Sequence, residues 1–189
     1  MSYFRLNDLT ISRGGSDKTK PRPVLKWAGG KRWLIKYLPQ LVPEISGIYA
    51  EPFLGGGAAF LSLQPDNAVL ADINDELVSF YEVLRDSLDD LIGEVVSYPY
   101  NREFYYSLRS QQPSEKVKRA ARLLFLNKTC WNGLYRVNRK GEFNVAFGRY
   151  KNPQIFNRKA LKSASDALQS GTLKSGDFEN TTACLGRGD

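Results

Sequence analysis

The sequence predicts an α/β fold, the dinucleotide-type half of a doubly wound parallel sheet interrupted by a helical and β-hairpin segment. Three observations lead there. "IYAEPFLGGGAAF" runs from a strand into three glycines and a small-residue helix start, and "AVLAD" follows as a second strand ending in an acid. Leu77, Phe80, Tyr81, Leu84, Leu88, Leu91, Ile92 and Val95 recur at spacings of three and four, which makes one buried helix face. Tyr135, Val137, Phe143, Val145 and Phe147 share one parity around a turn at "NRKG", while Arg136, Asn138, Glu142 and Asn144 take the other, the pattern of a hairpin with an apolar back and a polar front.

Element by element, residues 1–23 are polar and aperiodic and read as a flexible leader, with order beginning at Val24. A helix over Arg32 to Leu41 follows "VLKWAGGK", and Pro43 and Gly47 punctuate the approach to a strand over Ile48 to Phe53. The second strand is Ala68 to Asp72. Asn74 then caps one long helix whose first turn holds Asp75 and Glu76, where carboxylates favour the positive end of the helix dipole. Two more helices follow from Asn101, the second opening at Ser114 after Pro113 with Glu115 in its first turn. The hairpin comes next, then a helix over Asn157 to Ser170 and a third short strand in "TLKSGDF".

Composition narrows the chemistry. The 189 residues are 42% apolar, enough for one packed domain carrying a smaller subdomain. No run approaches 18 apolar residues and the start has no signal-peptide core, so a soluble, cytoplasmic protein without membrane contact is expected. The chain has no histidine, which removes imidazole bases and His triads. Cys130 and Cys184 lie far apart with no second thiol beside either, so no metal site is expected. Net charge is +7, but it is unevenly spread: residues 127–162 hold nine basic side chains against one acidic, and residues 66–103 hold two against ten. A polyanion belongs on the former stretch, and the latter is mostly the solvated outer face of the long helix.

Three successive glycines, Gly55 to Gly57, indicate backbone that turns tightly or comes close to something. Asp72 stands 17 residues after Gly55, near the spacing at which a carboxylate takes ribose hydroxyls. Yet "GGGAAF" is not G-x-G-x-x-G, because Phe60 occupies the third small position, and no P-loop pattern exists. A nucleoside with a carboxylate tail and no pyrophosphate fits better, namely S-adenosylmethionine, its carboxylate meeting the helix start after Gly57. "KWAGGK", Lys26 to Lys31, adds an aromatic plane, permissive glycines and two cations suited to an anionic amino-acid tail.

Together "LKWAGGKRWL", "EPFLGGGAAF", "ADIND", "NGLYRVNRKGEFNVAFGRY" and "GDF", in this order over Val24 to Phe178, resemble the Dam-type DNA adenine methyltransferases. The resemblance implies a Rossmann-like methyltransferase sheet, incomplete and limited to its first three strands, with an inserted helical and β-hairpin DNA-recognition subdomain. Residues 24–98 and 171–189 would form the cofactor-binding domain and 99–170 the target-recognition subdomain. It further implies that Trp27, Ala28, Gly29, Lys31, Glu51, Phe53, Gly55 and Gly57 contact the cofactor, that Asp72 takes the ribose, that Ile73 lies on the adenine, and that Asp177 and Phe178 bind its edge.

On the DNA side the resemblance points to Asn132, Leu134 and Arg136. Arg136 matches a guanine reader, apt because a guanidinium pairs with two acceptors on that base's major-groove edge. Lys128, Asn138, Arg139, Lys140 and Arg149 complete the expected duplex-binding set, with Lys151, Arg158, Lys159 and Lys162 adding to the phosphate-directed cations. Ala146 stands where relatives carry proline, which weakens an expected thymine-methyl contact. The hairpin hints at a GATC-like site by resemblance alone.

The family resemblance also implies a D-P-P-Y motif to hold a flipped-out adenine. The sequence contains neither Asp-Pro-Pro nor Asn-Pro-Pro. The expectation is therefore an N-terminal portion of a methyltransferase, monomeric when full length, with the catalytic residues beyond Asp189 and no methyl transfer by these residues alone. A non-catalytic nucleic-acid-binding module, or a methyltransferase acting on RNA or protein, remains an alternative.

Overall fold

A computed structural model describes residues 20–30, 35, 37–42 and 47–186. The leader expected over 1–23 and the start of the helix expected at Arg32 fall largely outside the described residues. The chain order is α1 (Leu38–Leu41), β1 (Tyr49–Glu51), α2 (Ala58–Leu63), β2 (Ala68–Asp72), α3 (Asp75–Asp86), α4 (Leu88–Val96), α5 (Arg102–Ser110), α6 (Lys116–Thr129), a short 3-10 turn Trp131–Gly133, α7 (Arg158–Leu168), β3 (Gly171–Ser175) and α8 (Phe178–Thr182). No described helix is long and apolar enough to cross a membrane.

The three strands form one parallel sheet in the order β1-β2-β3. Its middle strand is "AVLAD", whose first four residues are buried, as the continuous apolar run of a two-sided parallel strand requires. Glu51 pairs with Leu70 on one side, and Asp72 with Ser175 on the other, so the C-terminal ends of all three strands lie together. Gly171 opens β3 because a Cβ there would stand 2.8 Å from Leu70 Cδ1.

Periodicity placed one helix from Asn74 to Val95; the structure divides it into α3 and α4 at Ser87. Asn74 does cap it, its Oδ1 accepting from the Leu77 amide at 3.2 Å. Ser87 leaves helical geometry (φ −141°, ψ 45°), its N–H donating back to Val83 and its carbonyl accepting from Leu91, so it ends one helix and begins the next. The Ser87 side chain makes no capping bond to the new helix, whose start is reinforced by Asp89 and Asp90 in its first turn. The apolar stripe survives because both helices turn it to the same core, where Leu77, Phe80, Leu84, Leu91 and Ile92 join Leu70 of β2, Leu123 of α6 and Leu161 of α7.

α6 starts later than expected: Glu115 is its cap residue rather than part of the first turn, and its carboxylate meets Lys118 at 3.1 Å. α6 is buried on almost every side and also feeds a second cluster with Tyr105, Leu108, Phe143 and Val145. The expected hairpin is present as a reversal but not as a ladder. Two isolated antiparallel bridges, Val137 to Phe143 and Cys130 to Phe147, hold it. The main-chain bonds from Asn138 N–H to Glu142 and from Asn144 N–H to Arg136 flank the first bridge, and side chains take partners a longer ladder would use: Asn138 Oδ1 accepts from the Glu142 amide, and Arg136 Nη2 donates to the Asn144 carbonyl at 3.4 Å. Asn132 and Arg149, at φ 55° and 52°, also leave extended geometry at the two ends. The apolar parity still sorts correctly at Phe143 and Val145, which are buried, whereas Val137 near the tip is exposed.

Candidate functional site

A cleft of about 390 Å³ opens at the C-terminal ends of β1 and β2, within the size range of small-molecule sites. Trp27, Ala28, Gly29, Glu51, Phe53, Gly55 and Asp72, residues from two separated sequence motifs and the strand after them, line it together with Leu38, Leu54 and the first residues of α2. Lys31 lies outside the described residues.

Asp72 organises the floor. Its Oδ2 accepts from the Gly55 amide at 2.9 Å and its Oδ1 from the Asn74 amide at 3.0 Å, so one carboxylate ties the glycine loop to the turn that starts α3. A carboxylate offers about four acceptor positions, which leaves Asp72 able to accept from two hydroxyls of a ligand. Tyr81 supports the loop from beneath, its buried hydroxyl donating to the Gly55 carbonyl at 2.9 Å. Burial, and then the negative charges of Glu51 and Asp72, push that phenol far above its ordinary value, so it acts as a fixed donor. Glu51 accepts from the Phe60 amide and the Tyr49 hydroxyl; burial raises its carboxyl and those two donors pull against the rise.

The glycine run answers to a close approach made within the protein. Gly55 has φ +50°, and a Cβ there would stand 2.9 Å from Trp27 Cδ1, so the indole seats directly on the loop. Gly57, at φ +66°, is the left-handed residue from which α2 starts. α2 has only six residues, so the carboxylate site expected at its start has little helix dipole behind it.

Phe53 and Ile73, at 73% and 75% exposure, stand as uncovered apolar side chains at the ends of β1 and β2. Phe178 tilts against Phe53 with ring centroids 5.6 Å apart. Asp177 caps α8 by accepting from the Glu179 amide, and the Gly176 N–H donates to the Asp72 carbonyl, bringing the end of β3 to the same edge. Thus Phe53, Ile73, Asp177 and Phe178 gather at one edge of the sheet, although Ile73, Asp177 and Phe178 do not line the cleft itself.

The residues expected on the polyanion face differ in their surroundings. Arg136, Arg139, Lys140 and Arg149 are exposed, and among the described residues none forms an ion pair. Asn132 and Leu134 are exposed beside them, as is Trp131. Asn138 is engaged in its own turn, its Nδ2 donating to Glu142 at 2.8 Å. Lys128 is half-buried on α6. Of the further cations counted there, Arg158 pairs with Asp89 and Lys162 with Asp166, so those two serve α7 and its neighbours.

Several contacts that join the two regions have no counterpart in the sequence pattern. Trp27 stacks on Tyr135 with centroids 4.8 Å apart. The Tyr135 hydroxyl donates to Glu76 at 2.7 Å and its pKa is pushed up to about 12, chiefly by burial and then by the Glu76 charge. Glu76 pairs with the buried Arg122 at 3.0 Å. Asn127, fully buried, accepts from the Lys26 amide and donates to the Lys26 carbonyl. The one available signal was an asparagine inside the apolar run "RLLFLNKT". A larger polar cavity of about 510 Å³ adjoins this network, but its Arg119 and Arg122 are already paired with Asp75 and Glu76.

The two thiols differ in a way that can be measured. Burial lifts Cys130 to about 11, and its Sγ lies 3.2 Å from the Leu134 carbonyl, whereas Cys184 is exposed. Because the thiolate is the reactive form, a disulfide reagent at pH 8 is expected to titrate one thiol in the native chain and both after denaturation. Rapid reaction of both in the native state would contradict the placement of Cys130.

Comparison with known proteins gives one answer. The family model described as "D12 class N6 adenine-specific DNA methyltransferase" matches residues 27–188. A type II methyltransferase of Lactococcus lactis subsp. cremoris is 39% identical over 183 residues, covering 92% of this chain and 64% of that protein. A type II methyltransferase of Methanocaldococcus jannaschii is 42% identical over 181 residues, covering 84% of this chain and 63% of that protein. A DNA adenine methylase of Serratia marcescens is 35% identical over 170 residues, covering 87% and 62%. The chain therefore spans somewhat under two thirds of the length of these relatives.

Proposed function

This chain belongs to the D12 class of N6 adenine-specific DNA methyltransferases, and from that premise we propose that it binds S-adenosylmethionine and duplex DNA for methylation of an adenine exocyclic amino group. The observation that carries the reading is the convergence of Trp27, Glu51, Gly55 and Asp72 on one cleft at the strand ends. The donor set fits the cofactor: Asp72 has acceptor capacity left for ribose hydroxyls, and Phe53 and Ile73 offer uncovered apolar surface for a purine. When bound, the cofactor supplies an electrophilic methyl group. In this reading Trp27, Ala28, Gly29, Glu51, Phe53 and Gly55 form its walls, Lys31 and Gly57 are further proposed cofactor contacts, and Ile73, Asp177 and Phe178 border the purine.

Residues 99–170 serve as the target-recognition part and residues 24–98 with 171–189 as the cofactor part. Arg136, steadied by Asn144, reads a base edge. Asn132 and Leu134 flank it, and Arg139, Lys140 and Arg149 neutralise phosphates, with Lys128 and Asn138 supporting them. The 189 residues hold no Asp-Pro-Pro or Asn-Pro-Pro, so the groups that would grip the flipped adenine are not among them. That same observation favours a second reading, a nucleic-acid-binding module without catalysis.

The two readings part in one set of measurements on residues 1–189. Calorimetry with S-adenosylhomocysteine is expected to give one binding site. Duplex DNA is expected to bind with an affinity that falls with salt at a log–log slope of about −4 to −6, from roughly five to six phosphate contacts. Tritiated S-adenosylmethionine is expected to leave no label in the DNA. DNA binding without nucleoside heat supports the module, and robust labelling removes the claim that this chain lacks the groups for transfer.

A further inference from the structure

Two loops that the sequence separates by about a hundred residues meet at a single buried side chain. Asn127 Oδ1 accepts from the Lys26 amide at 2.8 Å, and Asn127 Nδ2 donates to the Lys26 carbonyl at 2.7 Å and to the Gly133 carbonyl at 3.3 Å. Lys26 leads directly into Trp27, a wall of the cleft. Gly133 opens the stretch that ends in Arg136. The fit between them is close: Gly133 has φ +63°, and a Cβ on it would stand 2.1 Å from Lys26 Cδ. One residue beyond Lys26 and two beyond Gly133, Trp27 stacks on Tyr135. Asn127 is wholly buried and bonds both main chains, so a displacement of one loop is felt by the other.

We infer that Asn127 is a positioning residue that couples the nucleoside cleft to the DNA-reading loop, so that each ligand strengthens binding of the other. The inference rests on the cleft being the nucleoside site, as proposed above. Its physical basis is that a ligand packed against Trp27 fixes the Lys26 main chain, and the Asn127 amide passes that order to Gly133 and Tyr135, which then cost less to hold in the DNA-competent arrangement. Coupling free energies between sites commonly correspond to factors of about 5 to 150, and the factor is the same in both directions.

The test is a thermodynamic box on residues 1–189: the affinity for S-adenosylhomocysteine with and without a duplex carrying a central GATC, and for the duplex with and without the nucleoside. The unmodified chain is expected to show coupling on the order of tenfold. Asn127→Asp keeps an acceptor for the Lys26 amide but has no donor for the Lys26 and Gly133 carbonyls. It is expected to bring the factor close to one even where each separate affinity survives. Tyr135→Leu, which removes the stack on Trp27, gives an independent reading if the first variant does not fold. A factor of one in the unmodified chain overturns the inference, as does a full factor in either folded variant. A merely structural Asn127 would lower stability or both separate affinities and leave the factor intact. Absence of any nucleoside binding in the unmodified chain removes the underlying cofactor reading, whereas binding of both ligands without coupling removes only this one.

Discussion

Asp72→Ala is expected to lower the affinity of residues 1–189 for S-adenosylhomocysteine by at least about 100-fold, roughly 2.7 kcal/mol. The size follows from what the carboxylate holds. It accepts from Gly55 N–H and Asn74 N–H, one on each oxygen, and hydrogen bonds to a charged acceptor contribute about 1.5–3 kcal/mol each. Losing it frees the glycine loop and the start of α3 together and takes away the acceptor proposed for the ribose. Asp72→Asn retains one acceptor oxygen but presents a donor to one of the two amides, so it is expected to fall between the unmodified chain and alanine. Calorimetry decides this, with circular dichroism to show that the variants fold. Uptake unchanged in a folded Asp72→Ala chain would sink the assignment of the cleft.

The largest stability effect is expected at Arg122. Its side chain is 8% exposed and its guanidinium satisfies three groups at once: Glu76 at 3.0 Å, the Leu108 carbonyl at 3.1 Å and the Arg109 carbonyl at 2.8 Å. It thus closes the C-terminal end of α5 onto α6 and orients the carboxylate that receives the Tyr135 hydroxyl. Removing one partner of a buried pair costs about 3–5 kcal/mol, because the other is left without compensation. Arg122→Ala should therefore melt about 6–20 °C lower, at about 2–4 °C per kcal/mol for a chain of this size. The double change Arg122→Met with Glu76→Gln should recover part of that loss, since an apolar stem fills the site and no charge is stranded. A melting point for Arg122→Ala within about 2 °C of the unmodified chain, on the same scale, would mean that the pair is solvated and that the α5–α6 joint rests on apolar packing alone.

The parts of the fold that were legible in the sequence are those governed by local pattern. β2 was read residue for residue because a short apolar run closed by an acid has few alternatives in a parallel sheet. The cap at Asn74 was legible from side-chain chemistry. The break at Ser87 was not, because two helices that share a core keep the apolar spacing of one. The hairpin's parity is visible in the sequence, but its shortness as a ladder is set in part by Asn138 and Arg136, whose side chains take the Glu142 amide and the Asn144 carbonyl.

The sequence by itself determined the family of this protein, the order of its elements, and which residue types gather near the glycine loop. Those depend on motifs of a few residues and on charge, which survive without coordinates. Only the tertiary structure decided that the crowding at Gly55 comes from the Trp27 indole, that Arg158 and Lys162 are spent on neighbouring acids, and that Asn127 clasps Lys26. These are contacts between positions far apart in the chain. Their strength comes from exclusion of water, and no local pattern encodes which distant group will be brought into reach.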